Sequence, residues 1–181
     1  AALLQRVAEE HGVPAQYLVA ILGVETNYGR IVGRYRVLDA LMTLGFDYPA
    51  RGDYFRSELE EFLLLTREDR LDPLETKGSY AGAMGAPQFM PSSIRRYAVD
   101  ADGKGQRDLW HDWHDVLASV ANYLAAQGWR RGEPVLAETR RQGDGDDPLA
   151  FRLLLADTLG AIRRRGYVVG TAGQHVLAGR L

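Results

Sequence analysis

A single carboxylate, Glu25, stands in an otherwise apolar stretch at residues 17–29. In a helix, Leu18, Ile21 and Leu22 would share its face, because they lie seven, four and three positions earlier. A carboxyl that loses hydration in apolar surroundings has a raised pKa and can donate a proton near neutral pH. The pattern makes Glu25 a candidate general acid. Taken alone, the helix fits better a glutamate that reaches solvent beyond the last turn.

A second segment with chemical potential lies at residues 77–93, where small residues alternate with a few polar ones. Glycine and alanine let the backbone approach a ligand closely. Ser79 and Gln88 can orient a carboxyl or a sugar. Three larger side chains would form an apolar wall: Tyr80, Phe89 and Met90. By composition alone, the segment fits an ordinary glycine-rich turn with its aromatic residues in the core.

Residues 100–111 resemble a calcium-binding loop. Aspartate stands at the first, third and ninth positions and glycine at the sixth, as in an EF-hand. Lys104, however, occupies the fifth position, where an oxygen ligand belongs, and His111 occupies the twelfth in place of glutamate. The Lys104 ammonium would compete with a cation for the same carboxylates. The sequence therefore favours a metal-free turn held by Asp/Lys pairs over a calcium site.

Composition excludes several classes of protein. The 181 residues suffice for one domain, or one domain with a small lobe. A net charge of -2 with mixed signs leaves no basic face for nucleic acid. The absence of cysteine excludes disulfides and thiol chemistry. No run approaches the roughly 18 apolar residues of a membrane span, and the four histidines lack spacing typical of zinc ligands.

Helices must position these segments, since apolar residues recur mostly at helical spacing. The chain starts within a helix that Gly12 ends, which suggests a processed or trimmed chain, and Pro14 opens the helix of Glu25. Further helices are predicted at 37–44, 53–66, from Pro91 and at 114–127, and short strands at 134–137 and 167–169. The predicted fold is mainly α, with a boundary near residue 130 and a small α/β extension at 131–181.

Five motifs in one order resemble the membrane-bound lytic transglycosylases of the B type, a bacterial family. They are residues 25–29, 38–41, 79–85, 88–93 and 119–123. The likeness covers roughly residues 13–130. It implies a lysozyme-like fold and cleavage of the MurNAc–GlcNAc β-1,4 bond of peptidoglycan, with products that end in 1,6-anhydro-MurNAc.

The resemblance also assigns roles to individual residues. Glu25 would be the single catalytic acid and base, and Ser79 would support its carboxyl. Gln88 and Tyr123 would line the sugar site, beside the apolar wall that includes Tyr80. Arg51 falls where the family places arginines near the glycan or its peptide. Ala50 departs from a paired arginine there, which weakens a peptide-binding role.

A single carboxylate is compatible with this chemistry. Glycosidases usually need two carboxyls, but Asp39, Asp47 and Asp53 fit N-caps, turns or solvated positions better. Glu25 could protonate the glycosidic oxygen and then accept the proton of the C6 hydroxyl as that oxygen closes on C1. The substrate's N-acetyl group would assist, as in substrate-assisted glycosidases. A second carboxyl across the cleft would contradict this route.

The family carries an EF-hand-like loop at the aspartate-rich segment. The resemblance thus implies Asp100, Asp102 and Asp115 as ligands of a structural calcium ion, against which Lys104 argues. No cofactor is expected to be required. The expected partners are peptidoglycan glycan strands and not nucleic acid, for a monomer of the bacterial envelope or periplasm with any membrane attachment outside this chain.

Two alternative functions stay open at this point. One is a hydrolytic muramidase similar to goose-type lysozyme, which would add water to the new sugar end. The other is a non-catalytic peptidoglycan-binding module, against which Glu25, Ser79 and Gln88 argue. The family continues with a C-terminal segment, including an aromatic-rich stretch, that finds no match before Leu181. We therefore expect a fragment or an abbreviated lobe.

Overall fold

The computed structural model describes residues 1–133, 135, 139–141, 164 and 166–169. The chain divides into two compact units, Ala1–Arg131 and Gly132–Leu181. In the first unit, six α-helices carry most of the described residues, so the predicted mainly α fold is confirmed. Among the described helices, none is long and apolar enough to span a bilayer.

The helices follow the apolar periodicity of the sequence. In chain order they are α1 (Ala2–His11), α2 (Ala15–Thr26), α3 (Val37–Asp47), α4 (Gly52–Glu68), α5 (Pro91–Tyr97) and α6 (Trp113–Ala126). A short 3-10 helix at Pro49–Arg51 precedes α4. The Asp112 carboxylate caps α6 by accepting hydrogen bonds from the backbone N–H groups of His114 and Asp115.

The core of the first unit lies where α3 packs along α4, α1 along α6, and α4 along α5. Seven consecutive residues of α6, from Asp115 to Ala121, are buried, so this helix runs through the core. In α4 the buried side chains Phe55, Phe62 and Leu65 recur at helical spacing. Leu63, which the sequence predicts on the same stripe, is exposed instead.

Gly45 does not end a helix as the sequence predicts. The helix α3 continues through it to Asp47. A Cβ at Gly45 would lie 3.2 Å from the Cγ atom of Arg56 in α4, so the glycine permits close packing of two helices. Tertiary packing, rather than a helix stop, explains this residue.

Two small sheets complete the described structure. In the first unit, β1 (Tyr35–Arg36) pairs antiparallel with β2 (Lys77–Gly78), an arrangement the sequence did not predict. In the second unit, β3 (Thr139–Arg141) pairs antiparallel with β4 (Tyr167–Val169). The strand predicted at 167–169 is confirmed, whereas Val135, in the strand predicted at 134–137, lies in a bend. Most of the predicted α/β extension at 131–181 lies outside the described residues.

Candidate functional site

Glu25 lies in the last turn of α2, and its side chain is exposed. The buried positions of this helix are Leu18, Leu22 and Thr26, which turn progressively away from Glu25. Of the two interpretations of this helix, a glutamate that reaches solvent beyond the last turn agrees with the structure, and a carboxyl desolvated by its own helix does not, because the helix ends before core residues can cover Glu25. Val24, the preceding residue, is 85% exposed.

The chain turns sharply immediately after α2. Asn27, Tyr28 and Gly29 have φ angles of 49°, 60° and 77°. The Tyr28 N–H donates to the carbonyl of Leu22 at 2.9 Å, which closes the helix end. Non-glycine residues at positive φ are strained and concentrate at functional sites. The proposed acid thus stands at a fixed turn.

Thr26 connects this turn to residues 79–90, which we term the site loop. Its side chain is 1% exposed. The Thr26 hydroxyl donates to the carbonyl of Ala86 at 2.8 Å and accepts from the N–H of Gly29 at 2.9 Å. The residue next to Glu25 therefore fastens α2 to the site loop. Thr26 was not among the site residues predicted from sequence, although its position four residues after Leu22 places it on the same face of the helix.

Gln88 makes a second connection between the same two segments. Its side-chain N–H group donates to the carbonyls of Val32, at 3.2 Å, and Gly85, at 2.9 Å. Its own φ angle is 51°, another left-handed residue that is not glycine. Because the nitrogen binds backbone, the side-chain oxygen is the atom that Gln88 can offer to a ligand.

Ser79 lies where the site loop leaves β2. Its hydroxyl oxygen accepts from the N–H groups of Ala81 and Ala83, at 3.2 Å and 3.1 Å. Its hydrogen remains suited to a donor role toward a carboxylate or sugar oxygen. The chain after α2 approaches closely at Gly33, where a Cβ would lie 2.0 Å from the carbonyl oxygen of Gly78. The structure thus brings Ser79 near the segment that follows Glu25.

The aromatic candidates differ in environment. Tyr80 is 73% exposed, so its ring is open to a ligand. Tyr123, in α6, packs against Phe89 and Tyr97 with ring centroids 5.2 Å apart in each pair. The site loop therefore rests on α6 through Phe89 and Tyr123, and Tyr123 has a packing role whether or not it also contacts sugar.

Arg51 lies in the 3-10 helix before α4. Its guanidinium stacks on the rings of Tyr54, at 4.5 Å, and Phe55, at 5.2 Å. Its described contacts are with the start of α4 and not with the site loop. The structure therefore does not join Arg51 directly to the other predicted site residues.

Two of the three other candidate carboxylates are paired elsewhere. Asp39 binds Arg36 at 2.7 Å, with both side chains about half exposed. Asp53 forms an ion pair with Arg56 three residues later. Asp47 is exposed at the end of α3. Their positions agree with the structural roles predicted from sequence.

The acidic loop, residues 100–112, has the outline of an EF-hand loop. Carboxylate oxygens of Asp100, Asp102 and Asp115 lie within 4.8 Å of one another. Asp115 is 1% exposed and accepts from the N–H groups of Ala101, at 2.8 Å, and Asp108, at 2.9 Å. Burial raises the pKa of Asp115. The three aspartates predicted as metal ligands are thus brought together.

The Lys104 ammonium enters the same cluster. It forms an ion pair with Asp102 and another with Asp112, at 3.2 Å. Hydrogen bonding to Lys104 lowers the pKa of Asp102, and the Gly105 N–H lowers that of Asp100. Calcium needs six to eight oxygen ligands, whereas this set contains a cation already bound to its carboxylates. The residues present do not fit calcium well, which agrees with the Asp/Lys pairing that the sequence favoured.

A cavity of about 570 Å³ lies near this region but away from Glu25. Its described lining comes from residues 32–33, 69–72, 75–77, 106–108 and 110–111. The Arg107–Asp69 ion pair, at 2.9 Å, contributes to the lining. The lining includes neither Glu25 nor Ser79, so this cavity does not mark the proposed chemistry.

Comparisons with known proteins agree with the fold and the motifs. Residues 1–172 match the family described as the transglycosylase SLT domain. The chain is 51% identical, over 142 residues, to membrane-bound lytic murein transglycosylase B of Escherichia coli K12, covering 78% of this chain and 39% of that protein. It is 50% identical to the solved lytic transglycosylase SltB1 of Pseudomonas aeruginosa, with a TM-score of 0.89, covering 96% of this chain and 57% of that one.

Two further solved relatives carry ligands. Escherichia coli Slt35 in complex with calcium is 43% identical, with a TM-score of 0.79, over 93% of this chain and 53% of that one. Pseudomonas aeruginosa SltB3 in complex with NAG-anhNAM-pentapeptide is 37% identical, with a TM-score of 0.78, over 94% of this chain and 45% of that one. The chain thus spans only about two-fifths to three-fifths of these relatives. The match over most of its own length shows that the chain belongs to the transglycosylase SLT domain family.

Proposed function

We propose that this chain is the catalytic part of a peptidoglycan lytic transglycosylase that cleaves the MurNAc–GlcNAc β-1,4 bond and leaves 1,6-anhydro-MurNAc ends. One observation carries the proposal. The exposed acid Glu25 stands at a strained helix end, which the Thr26–Ala86 hydrogen bond fastens to the loop carrying Ser79 and Gln88. The relatives named as lytic transglycosylases support the same activity.

Glu25 acts first as an acid and then as a base. Its proton passes to the glycosidic oxygen as the C1–oxygen bond breaks. The resulting carboxylate takes the proton of the C6 hydroxyl, whose oxygen forms the new bond to C1, so that no water is consumed. The substrate's N-acetyl group stabilises the oxocarbenium-like charge.

The glycan itself contributes to the acidity of Glu25 in this mechanism. The carboxyl is exposed in the free protein. A sugar chain bound over α2 would remove water from it, and loss of water raises the pKa of a carboxyl. Acid function therefore follows substrate binding and does not need a carboxyl buried in the core.

The site loop supplies binding and orientation. The Ser79 hydroxyl, whose oxygen already accepts two backbone N–H groups, donates its hydrogen to the Glu25 carboxylate or to the sugar. Gln88 accepts from a sugar hydroxyl through its side-chain oxygen. Tyr80 and Tyr123 provide aromatic surface on which a sugar ring packs. Arg51 lies in the 3-10 helix that precedes α4, and it contacts the glycan or its peptide.

Calcium has no step in this mechanism. A solved Escherichia coli relative binds calcium, and Asp100, Asp102 and Asp115 form a comparable acidic group here. Lys104 already pairs with this group. We therefore propose that the reaction does not require calcium.

The natural setting follows from the substrate. Peptidoglycan strands lie in the bacterial cell envelope, so we place the protein in the periplasm, acting as a monomer, with any membrane attachment outside this chain. Nucleic acid is not a partner. The net charge of -2 agrees with this assignment.

Mass spectrometry of the fragments released from purified peptidoglycan tests the proposal. The parent chain should release anhydro-ended muropeptides, and Glu25→Gln should release none. Glu10→Gln is the matched control, because Glu10 is an exposed glutamate of α1. This control should retain full activity, which would tie the loss to the position of Glu25 and not to the loss of one surface charge.

Two results would overturn the proposal. Products heavier by one water would identify a hydrolytic muramidase, and the search for a second carboxyl would then resume. Absence of products from the parent chain, with the protein still sedimenting with peptidoglycan, would identify a binding module.

A further inference from the structure

The acidic loop and the start of α6 contain five carboxylates. Four belong to Asp100, Asp102, Asp112 and Asp115, and the fifth, that of Asp108, accepts hydrogen bonds from the N–H groups of Trp110 and His111. Like charges at such spacing repel, and carboxylate oxygens of Asp100, Asp102 and Asp115 lie within 4.8 Å of one another. A positive charge is therefore needed to hold the loop in this conformation.

Lys104 contacts three of these five carboxylates. Its backbone N–H donates to Asp100 at 3.1 Å and to Asp102 at 3.0 Å. Its ammonium pairs with Asp102 and reaches Asp112 at 3.2 Å. Lys104, at the fifth position of the loop, thus binds carboxylates from both the start and the end of the loop.

The contact with Asp112 extends the effect beyond the loop. One oxygen of Asp112 accepts the N–H of His114 at 2.8 Å and so caps α6, while the other binds the Lys104 ammonium. The ammonium thus connects the loop to the N-terminus of the helix that runs through the core. In an EF-hand, the bound cation makes such a connection.

We propose that the Lys104 ammonium takes the place of a bound cation in the acidic loop, so that the loop keeps its conformation, and the protein its stability, without calcium. A calcium ion would have to displace the ammonium from Asp102 and Asp112 while adding a double charge beside it. The role is structural, and it does not depend on the proposed reaction.

Thermal unfolding of the full chain tests this replacement. The melting temperature, Tm, is measured in EGTA and in about 10 mM calcium, well above the roughly 10⁻⁴–10⁻³ M dissociation constants of weak EF-hand sites. The parent chain should show the same Tm in both. Lys104→Met should lower Tm in EGTA, whereas Lys77→Met, the matched change at the other lysine of the sequence, should not.

A second variant, Lys104→Asp, tests whether the loop can gain calcium binding. It removes the ammonium and places an oxygen ligand at the fifth position. In EGTA the variant should be the least stable. Calcium should then bind, as measured by titration calorimetry, and raise its Tm by about 5–10 °C at about a hundredfold excess over the dissociation constant. Lys104→Asn offers the same ligand type with a smaller change of charge, in case the aspartate variant does not fold in EGTA.

Three outcomes would overturn the proposal. The first is calcium binding by the parent chain with a rise in its Tm, which would show that a cation and not the ammonium holds the loop. A second is a Lys104→Met variant as stable in EGTA as Lys77→Met. The third is a failure of both Lys104→Asp and Lys104→Asn to bind calcium, because the ammonium would then not stand at a cation position.

Discussion

The site loop and the acidic loop are both irregular segments next to α-helices, but different interactions hold them. Neutral, buried groups secure the site loop: Thr26 binds its backbone at 2.8 Å, and Met84 and Phe89 enter the core. Charged groups secure the acidic loop, where Lys104 is 73% exposed while it pairs with Asp102 and Asp112.

This difference matches what each loop is proposed to do. A catalytic loop must hold its side chains in one geometry, and buried hydrogen bonds provide this because breaking one leaves a desolvated group without a partner. Exposed ion pairs are weak and are screened by salt. They suffice for a structural loop that needs only charge balance. Perturbations should therefore have large effects on the site loop and small ones on the acidic loop.

Replacement of Gly33, which packs against the start of the site loop, should give the largest loss of stability. Gly33→Ala places a Cβ 2.0 Å from the Gly78 carbonyl oxygen, on a backbone with φ 97°. Because backbone cannot move aside as a flexible side chain does, we expect a loss of about 4 kcal/mol or more in the free energy of unfolding. Urea unfolding measures the loss.

Gly103→Ala is the matched control in the acidic loop. Gly103 also has a positive φ, 73°, but nothing lies within 4 Å of its Cβ position. Gly103→Ala should therefore lower the free energy of unfolding only by the strain of a left-handed alanine, about 1–2 kcal/mol. Equal losses for the two variants would mean that backbone conformation, and not the approach to Gly78, controls the stability of the site loop.

Sequence patterns predicted the helices well because apolar periodicity is a local property. They did not predict the pairing of β1 with β2, since two-residue strands carry no pattern and their partners are far apart in sequence. They also misplaced the end of α3, because the role of Gly45 depends on its contact with Arg56. Local signals fixed the element types, and contacts across the fold decided the boundaries.

The candidate site divides in the same way. The motif residues Glu25, Ser79 and Gln88 were evident from sequence, but the sequence left open whether Glu25 is desolvated or exposed. Exposure depends on which residues cover a helix end, and α2 is apolar nearly all round, so its sequence does not indicate the buried face. Thr26 was missed because its partner, the Ala86 carbonyl, is sixty positions away and is a backbone atom.

Thr26→Val should give the next largest effect. Valine keeps the shape of threonine but removes the hydroxyl, which leaves the buried groups of Ala86 and Gly29 without their partner. We expect a stability loss of about 1–3 kcal/mol. Because Glu25 would lose its fixed position, muropeptide release should also fall about 10- to 100-fold at saturating substrate.

The contrast with Thr66→Val separates positioning from stability. Thr66 is also buried, but its hydroxyl donates to Leu63 within α4. This variant should lose stability without losing turnover, and Thr26→Ser should restore both properties at position 26. If Thr26→Val retained full turnover, the hydrogen bond to Ala86 would be structural only.

The smallest effect concerns the ion pair that joins the acidic loop to α4, Arg107 with Asp69 at 2.9 Å. Burial raises the pKa of Asp69 despite the opposing effect of Arg107. Just above the ordinary pKa of aspartate, the folded state then binds more protons than the unfolded state. Stability due to this group therefore falls as pH rises through that window. Asp69→Asn removes the titration, so the parent chain should lose stability relative to this variant as pH rises above the ordinary pKa of aspartate, about 4.

Glu68 belongs to the same network of ion pairs, and its contribution to stability should change with pH in the opposite direction. Hydrogen bonding to Arg95 lowers the pKa of Glu68, so its contribution to stability is present above the ordinary pKa of glutamate and is lost as pH falls. Relative to Glu68→Gln, the parent chain should therefore gain stability as pH rises from acid values up to about the ordinary pKa of glutamate, and no further above it, measured by urea unfolding at each pH. If the parent chain instead gained stability relative to Asp69→Asn as pH rose, as expected for Glu68, the attraction of Arg107 would outweigh burial in setting the pKa of Asp69. Charge pairing would then hold even the buried edge of the acidic loop, and the contrast with the site loop would be sharper than the structure alone indicates.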